Sequence, residues 1–180
     1  IIYAFAQIGD CAGPEANYAT DKEPNKCLSG KQNSGKQDYL LHSTDKWVDY
    51  VSSLHGGHYG VIAQILAKNK PVLLSIGGWS LSTPLRTAID DKHRTKFINS
   101  IIKFLADAQV DANEYAGVNN KFAGVDVDWE PNGNNWTLPN QGVPSASLNK
   151  TDLDNYLKFL VEFKAELTKN KAAGVLSDDK

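Results

Sequence analysis

Three runs of this chain, Ile1–Ile8, Pro71–Gly77 and Phe122–Trp129, are short, apolar and rich in β-branched residues. Segments of helical periodicity lie between and after them. Strands that are apolar throughout are buried on both faces, which is the habit of parallel sheets, and their alternation with helices specifies βαβ units. The first helical stretch opens at Thr44 or Asp45 and carries Trp47, Val48, Tyr50 and Val51. The second runs from about His58 to Lys68 with Val61, Ile62, Ile65 and Leu66 at helical spacing. A third opens at Asp90 or Asp91 and places Phe97, Ile98, Ile101, Ile102, Phe104 and Leu105 in one stripe. A fourth, capped by Thr151 or Asp152, is expected to bury Leu153, Tyr156, Leu157, Leu160, Val161, Phe163 and Leu167. Residues 9–43 and 131–150 read as long loops rich in Gly, Pro and Asn, and 171–180 as a surface tail.

The third strand run carries the chemistry. Asp126, Asp128 and Glu130 occupy every second position, so on a β-strand they line one face. They would sit roughly 6.6 Å apart along it, from a rise of about 3.3 Å per residue. Carboxylates on a buried face are costly unless hydrogen-bonded, protonated or bound to a cation. Crowded acids cannot all ionise cheaply, so one is expected to keep its proton, and a proton held there is what glycosidic cleavage needs at the leaving oxygen. Glu130, outermost and longest, is the candidate donor. Asp128 can orient a substrate group, and Asp126 is a deeper electrostatic partner. Two other readings stay open: hard-oxygen metal ligation, and an acid cluster satisfied by backbone amides and water. Asp128–Gly133 puts glycine at the sixth position of a calcium loop, but Pro139 stands where the bidentate Glu belongs.

In both kinds of α/β fold the chemistry sits at the carboxyl ends of the strands, and Ser75-Ile-Gly-Gly-Trp79 ends the second run at that same rim. Gly77 and Gly78 permit unusual dihedrals or close approach to a ligand. Trp79 is placed as a stacking surface for a sugar, or as a half-buried turn residue. Trp129 alternates to the other face and packs in the core. Trp136 either touches substrate or shields the loop it sits in. His42, His55, His58 and His93 show no metal spacing.

Net charge is −2, which favours neither nucleic acid nor an anionic membrane, and no apolar run approaches the ~20 residues of a transmembrane helix. Cys11 and Cys27 lie in the first long loop. A disulfide between them would suit an oxidising compartment, and two thiols fit the spacing equally well. The chain holds no methionine and begins inside a strand-like run, so it reads as part of something longer.

These residues carry a resemblance. Ser75-Ile-Gly-Gly78 resembles the strand-3 S-x-G-G motif of family 18 glycoside hydrolases, and Ala123-Gly-Val-Asp-Val-Asp-Trp-Glu130 resembles their strand-4 D-x-x-D-x-D-x-E motif in its bacterial chitinase form. Tyr3-Ala-Phe5 is similar to their second strand, which brings Phe5 among the substrate-binding candidates with Ser75, Gly77, Gly78, Trp79 and Trp136. The resemblance implies part of a (β/α)₈ barrel, strands two to four with their helices, that hydrolyses β-1,4-linked N-acetylglucosamine without cofactor or metal. It implies Glu130 as general acid/base and Asp128 as the residue orienting the substrate's 2-acetamido group, itself the nucleophile of a retaining reaction. It also implies that Asp126, matching the family's inner Asp, shares a proton network with Asp128. The implied partners are chitin or chito-oligosaccharides and the rest of the barrel, and the implied location is extracellular or periplasmic.

Two features depart from the family pattern. Ala123 replaces the first Asp of the strand-4 motif, which implies tuning and not loss of activity. A complete barrel needs about 250 residues and eight strands. The Tyr of strand 6 and the Trp of strand 8 that close the acetamido pocket have no counterpart here, so the piece alone is expected to be inactive. An endo-β-N-acetylglucosaminidase and an inactive carbohydrate-binding lectin are the alternatives. Trp79 and Trp129 favour chitin over the first, and the presence of Glu130 argues against the second.

Overall fold

The computed structural model describes residues 1–9, 39–43, 61–62, 64–65, 67–68, 70–78, 81–82, 84–106, 122–130 and 149–176. Four strands form one sheet: β1 (Ile2–Ile8), β2 (Leu41–Ser43), β3 (Leu73–Gly77) and β4 (Gly124–Asp128), in the order β2-β1-β3-β4. β1, β3 and β4 run parallel, as their apolar composition predicts. β2 pairs antiparallel with β1, Leu41 opposite Ile8 and His42 opposite Gln7. This strand lies within a stretch that the sequence reading assigned to loop, because three residues carry no readable period.

Leu74 and Ile76 of β3, Ala6 and Ile8 of β1, and Leu41 are all fully buried in one core with Phe97, Ile101 and Phe104. Those aromatic and aliphatic side chains come from α2 (Arg94–Leu105), which follows the short α1 (Leu85–Ala88). The expected stripe of α2 is buried in full: Phe97, Ile98, Ile101, Ile102, Phe104 and Leu105. Its start differs from expectation. Asp90 opens a turn ahead of the helix, its Oδ1 accepting from the backbone N–H of Lys92 and His93, and the helix proper begins at Arg94. Positions 61, 62, 64 and 65 are helical; Ile62 is buried and Val61 exposed. The helix expected around Trp47 lies outside the described residues.

α3 (Lys150–Ala172) corrects two expectations. Asn149, not Thr151 or Asp152, caps it, accepting from the Asp152 N–H at 3.1 Å while the Asp152 carboxylate accepts from the Asn149 N–H at 2.9 Å. This reciprocal box satisfies two donors that a helix start otherwise leaves orphaned. Second, Leu153, Leu157, Leu160 and Val161 are 51%, 61%, 39% and 70% exposed, against the expectation that they face inward. Phe159 and Phe163 are buried, their rings stacked with centroids 5.7 Å apart. The helix carries two apolar stripes, and the one with the aromatic rings is the one that meets α2 and the sheet. The tail is also less free than expected: beyond Gly174 the chain folds back and buries Leu176.

Ion pairs tie α3 to the preceding unit. Arg94, nearly buried, donates to Glu162 at 3.0 Å, to Asp91 at 2.8 Å and to the Ile89 carbonyl at 3.1 Å. The bond to Glu162 holds the Arg94 guanidinium above its ordinary range. Arg86 of α1 reaches Asp152 at 2.9 Å and so fixes the α3 start against α1. Among the described residues no helix is long and apolar enough to cross a membrane.

Candidate active site

The site is built where β1, β3 and β4 end. Register places Ser75 beside Asp126 and Gly77 beside Asp128, and paired residues of adjacent strands share a face. Leu74 and Ile76 point into the helical core, so Ser75, Gly77, Asp126 and Asp128 belong to the opposite face. β4 agrees independently: Val125 and Val127 pack against the core, as does Trp129 just past the strand, leaving Asp126 and Asp128 to the other side; these two acids and Glu130, two positions beyond the strand, are half-buried. Trp129 meets Tyr156 of α3 with ring centroids 5.3 Å apart, the packing position that alternation predicts. Burial pushes the Tyr156 phenol upward from its ordinary value, and the charge of Asp126 adds to that.

Ser75 is 1% exposed and its Oγ donates to Asp126 Oδ2 at 2.8 Å. The hydroxyl fixes one carboxylate oxygen of the deepest acid and replaces part of the hydration that the site removes. The two suspicious strand ends are thereby joined by a specific bond.

Gly77 and Gly78 have φ of +107° and +78°, where a side chain is strained. A Cβ on Gly77 would overlap the Asp128 carbonyl oxygen, and one on Gly78 would lie 2.7 Å from the Phe5 ring. The Gly78 N–H donates to the Asp128 carbonyl at 2.8 Å. The close approach that two glycines permit is thus made by the protein's own strand and by Phe5. Phe5 reaches there through an irregularity in β1: Ala4 pairs with Ser75 and Ala6 with Ile76, so Phe5 is the extra residue of a bulge. Bulges re-aim side chains, and this one leaves Phe5 37% exposed beside the glycines.

One residue escaped the sequence reading. Ser82, 2% exposed, donates its Oγ to the Glu130 carbonyl at 3.2 Å. Nothing in composition or period marks it; only its place just after the glycine turn could have drawn attention. Trp79, Trp136, Cys11 and Cys27 lie outside the described residues. Among the described residues no three His, Cys, Asp or Glu side chains gather as a group able to hold a metal ion.

Parallel strands presenting acids at their carboxyl rim, with helices on the other face, are the arrangement of the catalytic end of an α/β barrel. The model of the glycosyl hydrolases family 18 matches residues 1–179, and the chain belongs to that family. It is 28% identical over 179 residues to the chitinase of Autographa californica nuclear polyhedrosis virus, a match covering 93% of this chain and 29% of the viral protein. The psychrophilic chitinase B catalytic domain from Arthrobacter TAD20 superposes with a TM-score of 0.61 at 22% identity, over 96% of this chain and 42% of that one. A Group II chitinase catalytic domain of Ostrinia furnacalis, solved in complex with penta-N-acetylchitooctaose, gives 0.55 at 20% identity, over 94% and 32%. The chain therefore spans less than half the length of these relatives. Its fold is an open portion of a (β/α)₈ barrel.

Proposed function

We propose that this chain carries the acid-bearing strands of a chitinase that cleaves β-1,4-N-acetylglucosamine linkages with retention. The observation that carries the reading is the pair Asp126 and Asp128 on the non-core face of β4, with Asp126 held by Ser75 and the half-buried Glu130 two residues further along the chain. Glu130, at the outer end, donates a proton to the glycosidic oxygen as the C1–O bond breaks. The carbonyl oxygen of the substrate's own 2-acetamido group attacks C1, and an oxazolinium ion forms. Asp128 orients the acetamido group and offsets its developing positive charge. Glu130, now a carboxylate, takes a proton from water as that water attacks C1 and opens the ring. Asp126, beneath, is held by the Ser75 bond and shares a proton with Asp128. Phe5, Trp79 and Trp136 are the apolar surfaces proposed for sugar rings, and the missing side chains at Gly77 and Gly78 let the Asp128 backbone and Phe5 come close. Extracellular or periplasmic location follows from the polymeric substrate.

The remainder of the barrel is the partner that this reading requires. Leu153, Leu157, Leu160 and Val161 of α3 present an apolar stripe, and among the described residues β4 has no strand on its far side. A neighbouring βα unit would cover both. The expected result is turnover of chito-oligosaccharides by the full-length protein and none by the isolated 180 residues. Sugar release by the isolated chain would overturn the requirement, and none by the full-length protein would leave the lectin reading in place.

A further inference from the structure

The catalytic strand ends before its catalytic residue. The ladder between β3 and β4 closes at Gly77 and Asp128, whereas Glu130 stands two positions further on. A general acid must nevertheless be held to a fraction of an ångström, since misplacement by about 1 Å costs up to roughly 10²-fold in rate. The hold comes from the turn that follows β3. The Gly78 carbonyl accepts from the N–H of both Leu81 and Ser82, at 3.2 and 3.0 Å, and the Ser82 carbonyl accepts from the Leu85 N–H at 3.0 Å. Ser82 is therefore fixed on both sides and buried. Its Oγ donates to the Glu130 carbonyl at 3.2 Å, while the Gly78 N–H donates to the Asp128 carbonyl at 2.8 Å. The Gly78 bond closes the last ladder pair, and the Ser82 bond extends the β3–β4 contact past it. One turn later, Arg86 binds Asp152 in the first turn of α3.

We infer that Ser82 is a positioning residue that sets the height of Glu130 through its backbone, in a clamp completed by Gly78. The inference rests on the proposed role of Glu130, and its test separates the two. Proton donation matters most when the leaving group is a poor one, such as a sugar hydroxyl, and little for an activated aryl group. The full-length protein is assayed on chitotetraose and on the 2,4-dinitrophenyl glycoside of chitobiose, comparing kcat/KM, which reports the step in which the leaving group departs. Ser82→Ala is expected to lose about tenfold on chitotetraose and less than about twofold on the aryl glycoside. Ser100→Ala is the control, removing another buried hydroxyl that bonds the Phe97 carbonyl and the Leu41 N–H. It is expected to leave both rates unchanged. Equal losses on both substrates in Ser82→Ala, wild-type rates on both, or the same substrate-dependent loss in Ser100→Ala would each overturn the clamp. If Glu130→Gln itself retains wild-type turnover, it is the role of Glu130 that fails.

Discussion

Glu130→Gln in the full-length protein is expected to lower chito-oligosaccharide turnover about 10³-fold, within the usual contribution of general acid–base catalysis. Gln matches Glu in size and keeps its capacity for hydrogen bonding, but it has no proton to give the leaving oxygen and no charge with which to activate water. Glu130 is half-buried at the strand end, and its recorded bond to Ser82 uses the backbone carbonyl and not the side chain. The substitution therefore leaves the clamp and the core untouched, and the melting temperature is expected to stay within a degree or two of wild type. Substrate binding is expected to persist, because the proposed sugar-binding surfaces and Asp128 are unchanged. Loss of turnover with binding retained is the combination to look for; wild-type turnover would remove Glu130 from the reaction.

The largest structural effect is expected at Gly77. At φ +107° an alanine is strained, and its Cβ would overlap the Asp128 carbonyl oxygen, a backbone atom that cannot rotate away. Relief requires β3 and β4 to separate at the pair Gly77–Asp128, which also breaks the bond from the Gly78 N–H. Strain and lost bonding together come to about 3 kcal/mol. Gly174 supplies the comparison: its φ is +70°, but a Cβ there meets nothing within 4 Å. Gly174→Ala bears only the left-handed backbone cost, about 1 kcal/mol. Thermal unfolding of the two variants should therefore rank Gly77→Ala well below Gly174→Ala. Because the Asp128 backbone must move, Gly77→Ala should also lose activity, whereas Gly174→Ala should not. Equal melting temperatures for the two would show that the end of β3 gives way more easily than its geometry implies.

How far the sequence speaks can be judged from particular residues. The three parallel strands were legible because Val, Ile and Leu run through them without a polar break, and that pattern has few other solutions. The stripe of α2 was legible because it has only one apolar face. α3 was misjudged because it has two: its period admits Leu153, Leu157 and Val161 as readily as Tyr156, Phe159 and Phe163, and only tertiary packing chooses. The sequence reading did not name Phe159 at all, although it is fully buried. β2 and the bulge at Phe5 depend on pairing partners distant in the chain, which local periodicity cannot report. In the site, the shared face of Asp126 and Asp128 followed from alternation alone, whereas Glu130 lies two residues past the end of the strand. The bonds of Ser75 to Asp126 and of Ser82 to Glu130 join residues 51 and 48 positions apart, and the fold had to bring them together.

The chemistry proposed for this acid series is a retaining cleavage of N-acetylglucosamine polymers. Proton NMR of chitotetraose digestion by the full-length protein, recorded before mutarotation equilibrates the products, tests it most directly. With retention, newly formed reducing ends appear first as the β-anomer. First appearance of the α-anomer, or no release of sugar, would contradict it.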